Sequence, residues 1–129
     1  MMRCLARLEP LAYDLLRLFS GAMLSVHGMQ KLFGVLTSKP VPAPFSQAWI
    51  GGVIELLCGV LIALGLFTRP AAFLASGTMA VAYFQFHWKF QMDDKFFPII
   101  NKGEPAVLYC FLFLHMACRG GVKWCIDKK

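Results

Sequence analysis

Four apolar runs dominate this chain, from about Leu15 to Leu36, Ala48 to Leu66, Pro70 to Trp88 and Pro105 to Cys118. A helix needs about 20 residues to cross about 30 Å of hydrocarbon, so each run invites that comparison. Arg17, His27, Gln30 and Lys31 lie inside the first run, Glu55 is the only charge of the second, and the third has none. The fourth is short unless its ends reach Glu104 and Arg119, which can snorkel to water. With 129 residues the chain makes one domain, and only 16% of them are charged against about 25% in a soluble domain. A chain so small cannot hide a 58% apolar fraction from water, and it is far too apolar to be disordered. The expected class is all-α, an integral membrane four-helix bundle over residues 1–129 with helices at about 15–36, 48–66, 70–88 and 105–119. Its expected solvent is the lipid bilayer.

The net charge of +6 does not point to nucleic acid. The thirteen Lys and Arg stand singly between apolar runs, with no basic stripe or aromatic–basic alternation to follow a phosphate backbone. Five cysteines, an odd number without a C-x-x-C pair, argue against a disulfide framework. Thiol–disulfide chemistry and zinc are set aside, because no paired or grouped ligands occur. Haem needs two axial ligands at matching depth, and counting along the helices offsets His27 from His87 by several ångströms. No flavin motif is present.

Prolines and glycines place the breaks. Ser38 to Pro44 makes the first loop, Gly65 to Pro70 a tight stop and restart, and His87 to Glu104 a longer aromatic loop suited to the membrane interface. Glu9, Asp14 and Lys31 interrupt what would otherwise resemble a signal peptide, so the first segment reads as a retained helix. If both termini share one side, that side holds Arg3, Arg7, Arg69, Arg119, Lys123, Lys128 and Lys129. The other holds Lys39, Lys89, Lys95 and Lys102, with Lys31 nearby, so the charge balance predicts cytoplasmic termini.

Helical phase gathers Asp14, Arg17, Ser20, Gly21, Leu24, His27, Gly28 and Lys31 onto one face of the first helix. Glu55 lies among Ala48, Gly51, Gly52, Cys58, Gly59 and Ile62 on the second. Depth counting puts His27 level with Glu55 near mid-membrane, with Arg17 and Arg69 toward the cytoplasmic rim and Lys31 and Glu104 in the outer half. A charge at mid-helix costs about 2.5–3.5 kcal/mol, so Glu55 should have a histidine or cation within reach. Two readings stay open: these groups only hold helices together, or they line a pocket for a proton-coupled or redox-active small molecule. His115 reads as a packing residue.

Arg17, Gly21 and the run His27-Gly28-Met29-Gln30-Lys31-Leu32-Phe33-Gly34 resemble the first helix of the DoxX family of small bacterial membrane proteins. The likeness continues through Gly52, Glu55 and Gly59, then Leu64-Gly65-Leu66-Phe67-Thr68-Arg69, Phe97-Pro98, Asn101-Lys102-Gly103-Glu104, Leu108-Tyr109, Gly120 and Asp127. It covers nearly the whole chain, departing at Trp124-Cys125, where a glycine-rich turn and serine are usual. The resemblance implies an inner-membrane protein tied to quinone-linked redox chemistry. Relatives serve in thiosulfate:quinone oxidoreductase, in other membrane oxidoreductase complexes, or in catechol and quinone resistance. On that reading His27 and Glu55 exchange protons with a bound quinone or quinol, and Arg17, Lys31, Arg69 and Glu104 contact it. Electrons would come from a membrane redox partner. The alternative is a non-catalytic subunit that anchors or seals a larger complex. A small proton-coupled exporter fits less well, since its buried carboxylate usually sits in the first helix.

Overall fold

The computed structural model describes residues 2–127. Met1, Lys128 and Lys129 lie outside the described residues, and with them two of the cations counted on the terminal side. The described chain is all-helical: α1 (Met2–Arg7), α2 (Glu9–Phe33), α3 (Gln47–Leu64), α4 (Thr68–Ala82), α5 (Pro98–Asn101) and α6 (Glu104–Arg119). Helix α4 runs on into a π-helical turn, Tyr83–Trp88, and a 3-10 turn follows at Asp94–Phe96.

The ends follow local chemistry. Helix α2 starts six residues before its apolar run because Pro10 suits a first turn, and Gly34 ends it in the left-handed conformation at φ 67°. Ser46 caps α3 by accepting from the Trp49 amide at 3.3 Å, and Gly65 closes it at φ 70°. Apolarity marks where a helix could meet hydrocarbon, whereas caps mark where it stops.

Helices α2, α3, α4 and α6 pack in succession around Leu24, Ile62, Ala72, Met79, Phe113 and Met116. The tightest contact is α2 on α3. A Cβ on Gly21 would lie 2.6 Å from the Ala63 nitrogen, and one on Gly28 would lie 2.5 Å from the Leu56 nitrogen and 2.7 Å from the Gly52 oxygen. Gly21 therefore faces Gly59 and Gly28 faces Gly52, a fixed antiparallel register in which backbone meets backbone. Between α4 and α6, Ser76 Oγ donates to the Cys110 carbonyl at 2.7 Å.

One end of the bundle is tied by the C-terminal segment. Arg17, only 1% exposed, donates to the carbonyls of Ile62 (2.6 Å) and Ala63 (2.9 Å) at the end of α3, and to Trp124. Its buried neighbour Asp14, 3.7 Å away, accepts from the amides of Lys123 and Trp124, both at 3.1 Å. Arg69 donates to the Ala117, Cys118 and Arg119 carbonyls at the end of α6. The two arginines thus satisfy carbonyls that helix ends leave without intrahelical donors. Asp127 accepts from the Phe67 amide at 2.6 Å and the Thr68 amide at 2.8 Å, capping α4, whose own N-cap, Phe67, carries no side-chain acceptor.

Partial burial raises the Asp127 pKa, but hydrogen bonding from Thr68 and Phe67 outweighs it and holds the carboxyl below its usual value. A depressed folded-state pKa gives stability that is complete above the unfolded value, about 3.9, and is lost as pH falls through the folded one. The thermal midpoint of wild type should therefore exceed that of Asp127→Asn by a constant margin from pH 7 to about pH 5. The margin should shrink below about pH 4. A margin that does not change down to pH 2 would remove the cap from this account.

Candidate functional site

Toward the other end of the bundle, about 21 Å along α2 from Arg17 to Lys31 at 1.5 Å per residue, lies a cavity of about 310 Å³. Leu24, His27 and Lys31 of α2, Glu55 of α3, and Met79 and Ala82 of α4 line it. His87, Lys39, Lys102, Pro105, Ala106 and Tyr109 complete the wall. Three lysines stand against one carboxylate, and the remaining surface is largely apolar.

Glu55 is 3% exposed, and its Oε1 accepts from Lys31 Nζ at 2.7 Å. The Lys31 side chain is 37% exposed, so the ammonium sits between the carboxylate and the open side. Helix geometry explains the pairing. Side chains lean toward the N-terminus of their own helix, so on antiparallel helices Lys31 and Glu55 lean toward each other, toward the level of Gly28 and Gly52. Gly52 leaves the path clear, since a Cβ there would lie 2.8 Å from Lys31 Cβ. Glu55 Oε2 is buried and has no hydrogen-bond partner among the described residues.

His27 lines the cavity but is exposed at its edge. His87 enters through the π-helical turn, whose wider winding re-aims the residues that follow Ala82. Its Nδ1 lies 3.4 Å from the Asn101 carbonyl. Asn101 in turn donates to Tyr83 Oη (3.3 Å) and the Lys95 carbonyl (2.7 Å) and accepts from the Gly103 amide (2.8 Å). This clamp fixes the loop before α6 and with it the approach of Lys102. Any Cβ on Gly103 would meet Asn101 Oδ1 at 2.7 Å and His87 Cβ at 2.9 Å.

Of the residues singled out from sequence, the structure brings His27, Lys31 and Glu55 to one cavity. Arg17 and Arg69 are at the opposite end, where both donate to backbone carbonyls, and the buried Arg17 Nε has no partner among the described residues. Glu104 is exposed beside a separate apolar groove formed with Phe97, Pro98, Ile99, Val107 and Leu108. His115 is exposed and lies edge-on to Tyr13. Lys39, His87, Lys102 and Tyr109 join the site without having been assigned to it from sequence. In the sequence Lys39 and Lys102 stand as loop charges and His87 as a haem candidate, while Lys102 and Tyr109 also belong to the family likeness. Among the described residues, no three His, Cys, Asp or Glu side chains group as a metal site would require.

The sequence profile of the DoxX family matches residues 12–88, more than half of the chain. The chain belongs to the DoxX family. That match ends at Trp88, so it takes in His27, Lys31, Glu55 and His87 but not the wall supplied by Lys102 and Tyr109. The chain is also 36% identical to an uncharacterized protein of Haemophilus influenzae, with 99% of this chain and 97% of that one covered. No solved structure matches. DoxX proteins are membrane-associated, which supports a membrane location here. Among the described helices, one, Gln47–Leu64, is long and apolar enough by itself to cross a bilayer.

Proposed function

We propose that this DoxX protein is a four-helix inner-membrane protein that binds a quinone- or quinol-like ring in the cavity of His27, Lys31 and Glu55. In this reading it serves a membrane oxidoreductase that supplies or removes the electrons. The observation that carries it is the pairing of half-exposed Lys31 with buried Glu55 in a wall that is otherwise largely apolar. An aromatic ring fits against Leu24, Met79 and Ala106, while its oxygens need the polar groups. His27 and Glu55 exchange protons with those oxygens, and Lys31 with Lys39 and Lys102 offsets negative charge as it develops. The bonds made by Arg17 and Arg69 favour a structural role for both, and Glu104 stands apart from the ring.

The membrane part of the proposal is supported by what the helices leave outside. Phe19, Met23, Leu57, Leu64, Phe73, Leu74, Leu108 and Phe111 are each at least 50% exposed. Monomeric soluble proteins rarely expose apolar surface on this scale. The start of α2, the α3–α4 turn and the C-terminal segment are joined at one end of the bundle, which supports placing them on one side, and the loop charges favour the cytoplasm for that side.

Purified protein in mild detergent should bind a short-tailed quinone–hydroquinone pair. His27→Ala should weaken binding severalfold and His115→Ala should leave it unchanged. No binding, together with stable copurification in a large complex, would favour the structural-subunit reading instead. For orientation, a single-cysteine variant keeping the exposed Cys4 should resist an impermeant maleimide in intact cells and react after lysis. Labelling of intact cells would reverse the topology.

A further inference from the structure

The charges that line the cavity do not cancel. Lys31, Lys39 and Lys102 bring ammonium groups to it, and Glu55 is the one carboxylate among its lining residues. The Lys31–Glu55 pair closes on itself at 2.7 Å and is neutral as a unit. Lys39 and Lys102 have no carboxylate within 4.0 Å among the described residues. Two loops far apart in sequence bring these lysines to one wall. Lys39 comes from the connection between α2 and α3, where its amide donates to Thr37 Oγ1 at 3.2 Å. Lys102 ends α5 in the left-handed conformation at φ 61°, held between Asn101, bonded to Tyr83, and Gly103, packed on Tyr83 and His87. Like charges gathered at one cavity repel, and a negative group seated there offsets that repulsion. Resting on the reading of the cavity as a quinone site, we propose that its ligand is an anion: a quinone ring bearing a group ionised at neutral pH, such as a carboxylate, taken in preference to a neutral ring.

Selection by charge does not require a fixed contact. Both lysines are exposed at the cavity, each ammonium rides a flexible four-carbon stem, and Coulomb attraction acts over several ångströms. Low-dielectric walls focus such a field, and Leu24, Met79 and Ala106 supply them here. The Lys31–Glu55 pair contributes by what it removes, since the carboxylate that would repel an anion is already offset. His27 and His87 bring no negative charge to the wall. The apolar surface thus takes the ring whatever its charge, and discrimination falls on Lys39 and Lys102.

The test measures dissociation constants on the whole purified protein in a non-ionic detergent, with anthraquinone-2-carboxylate and anthraquinone-2-carboxamide as probes. The two differ in charge and hardly in shape. At low salt the carboxylate should bind about tenfold or more tightly than the carboxamide, and the gap should narrow as salt rises toward about 0.5 M. Lys39→Gln and Lys102→Gln change exposed loop positions, where substitutions cost little stability. Each should weaken the carboxylate about threefold or more and leave the carboxamide nearly unchanged, and the double variant should remove the preference. If the two probes bind equally, or only a neutral short-tailed benzoquinone binds, the preference is refuted while the cavity reading stands. If none of these rings binds, both fall. A preference that survives the double variant would overturn the assignment to Lys39 and Lys102. A short-chain acidic phospholipid that binds more tightly than the anthraquinone carboxylate would give the two lysines to lipid headgroups and overturn the ring anion as their ligand.

Discussion

Helices α2 and α3 approach so closely at Gly21, Gly28, Gly52 and Gly59 that no side chain separates their backbones there. That contact sets the register of the pair, and the register decides which polar groups meet. At one end it delivers Arg17 to the last carbonyls of α3. At the other it lets Lys31 cross Gly52 to reach Glu55. A helix pair held apart by larger residues would leave both charges stranded on an apolar face. The cost of burying ionisable groups makes such an arrangement hard to sustain.

The two ends use their charge differently. Around Arg17, Asp14, Arg69 and Asp127, most donors and acceptors are engaged with backbone at helix ends and in the C-terminal segment. This end behaves as a knot that ties three helix termini together. Among the described residues Asp14 Oδ1, Arg17 Nε and Thr68 Oγ1 at that end still lack partners, as Glu55 Oε2 does at the other, where in addition Lys39 and Lys102 have no carboxylate within 4.0 Å and His27 is exposed at the cavity edge. What sets the second end apart is a polar group set beside a largely apolar cavity wall, and the proposed ligand site rests on that.

Much of this was legible in the sequence because charges on a membrane-length apolar helix are costly and must share a face. Phase alone grouped Asp14, Arg17, Ser20, Gly21, Leu24 and Gly28, all of which are buried on α2. Phase says nothing, however, about what stands at the tip of a long side chain. Arg17 and Lys31 share a stripe, yet Arg17 meets Trp124, 107 positions away, and Lys31 meets Glu55. Depth counting matched His27 to Glu55 because it followed Cα positions. Side chains lean toward the N-terminus of their own helix, and that lean makes Lys31 the ion-pair partner. The π-helical turn that re-aims His87 and the capping of α4 by Asp127 depend on contacts between distant segments, which periodicity does not encode.

The glycine contact can be tested where two simple effects have opposite signs. In a helix interior, alanine is intrinsically favoured over glycine by roughly 0.5–1 kcal/mol. Gly77 on α4 has open space around it, so Gly77→Ala should raise or preserve the unfolding midpoint of the purified protein. Gly28→Ala forces a methyl group onto the Leu56 nitrogen and the Gly52 oxygen, backbone atoms that cannot turn aside. It should destabilise by about 2 kcal/mol or more, a cost in the range of overpacking a close contact. A Gly28→Ala protein as stable as wild type would contradict the account that backbone contact between α2 and α3 sets the register of the site.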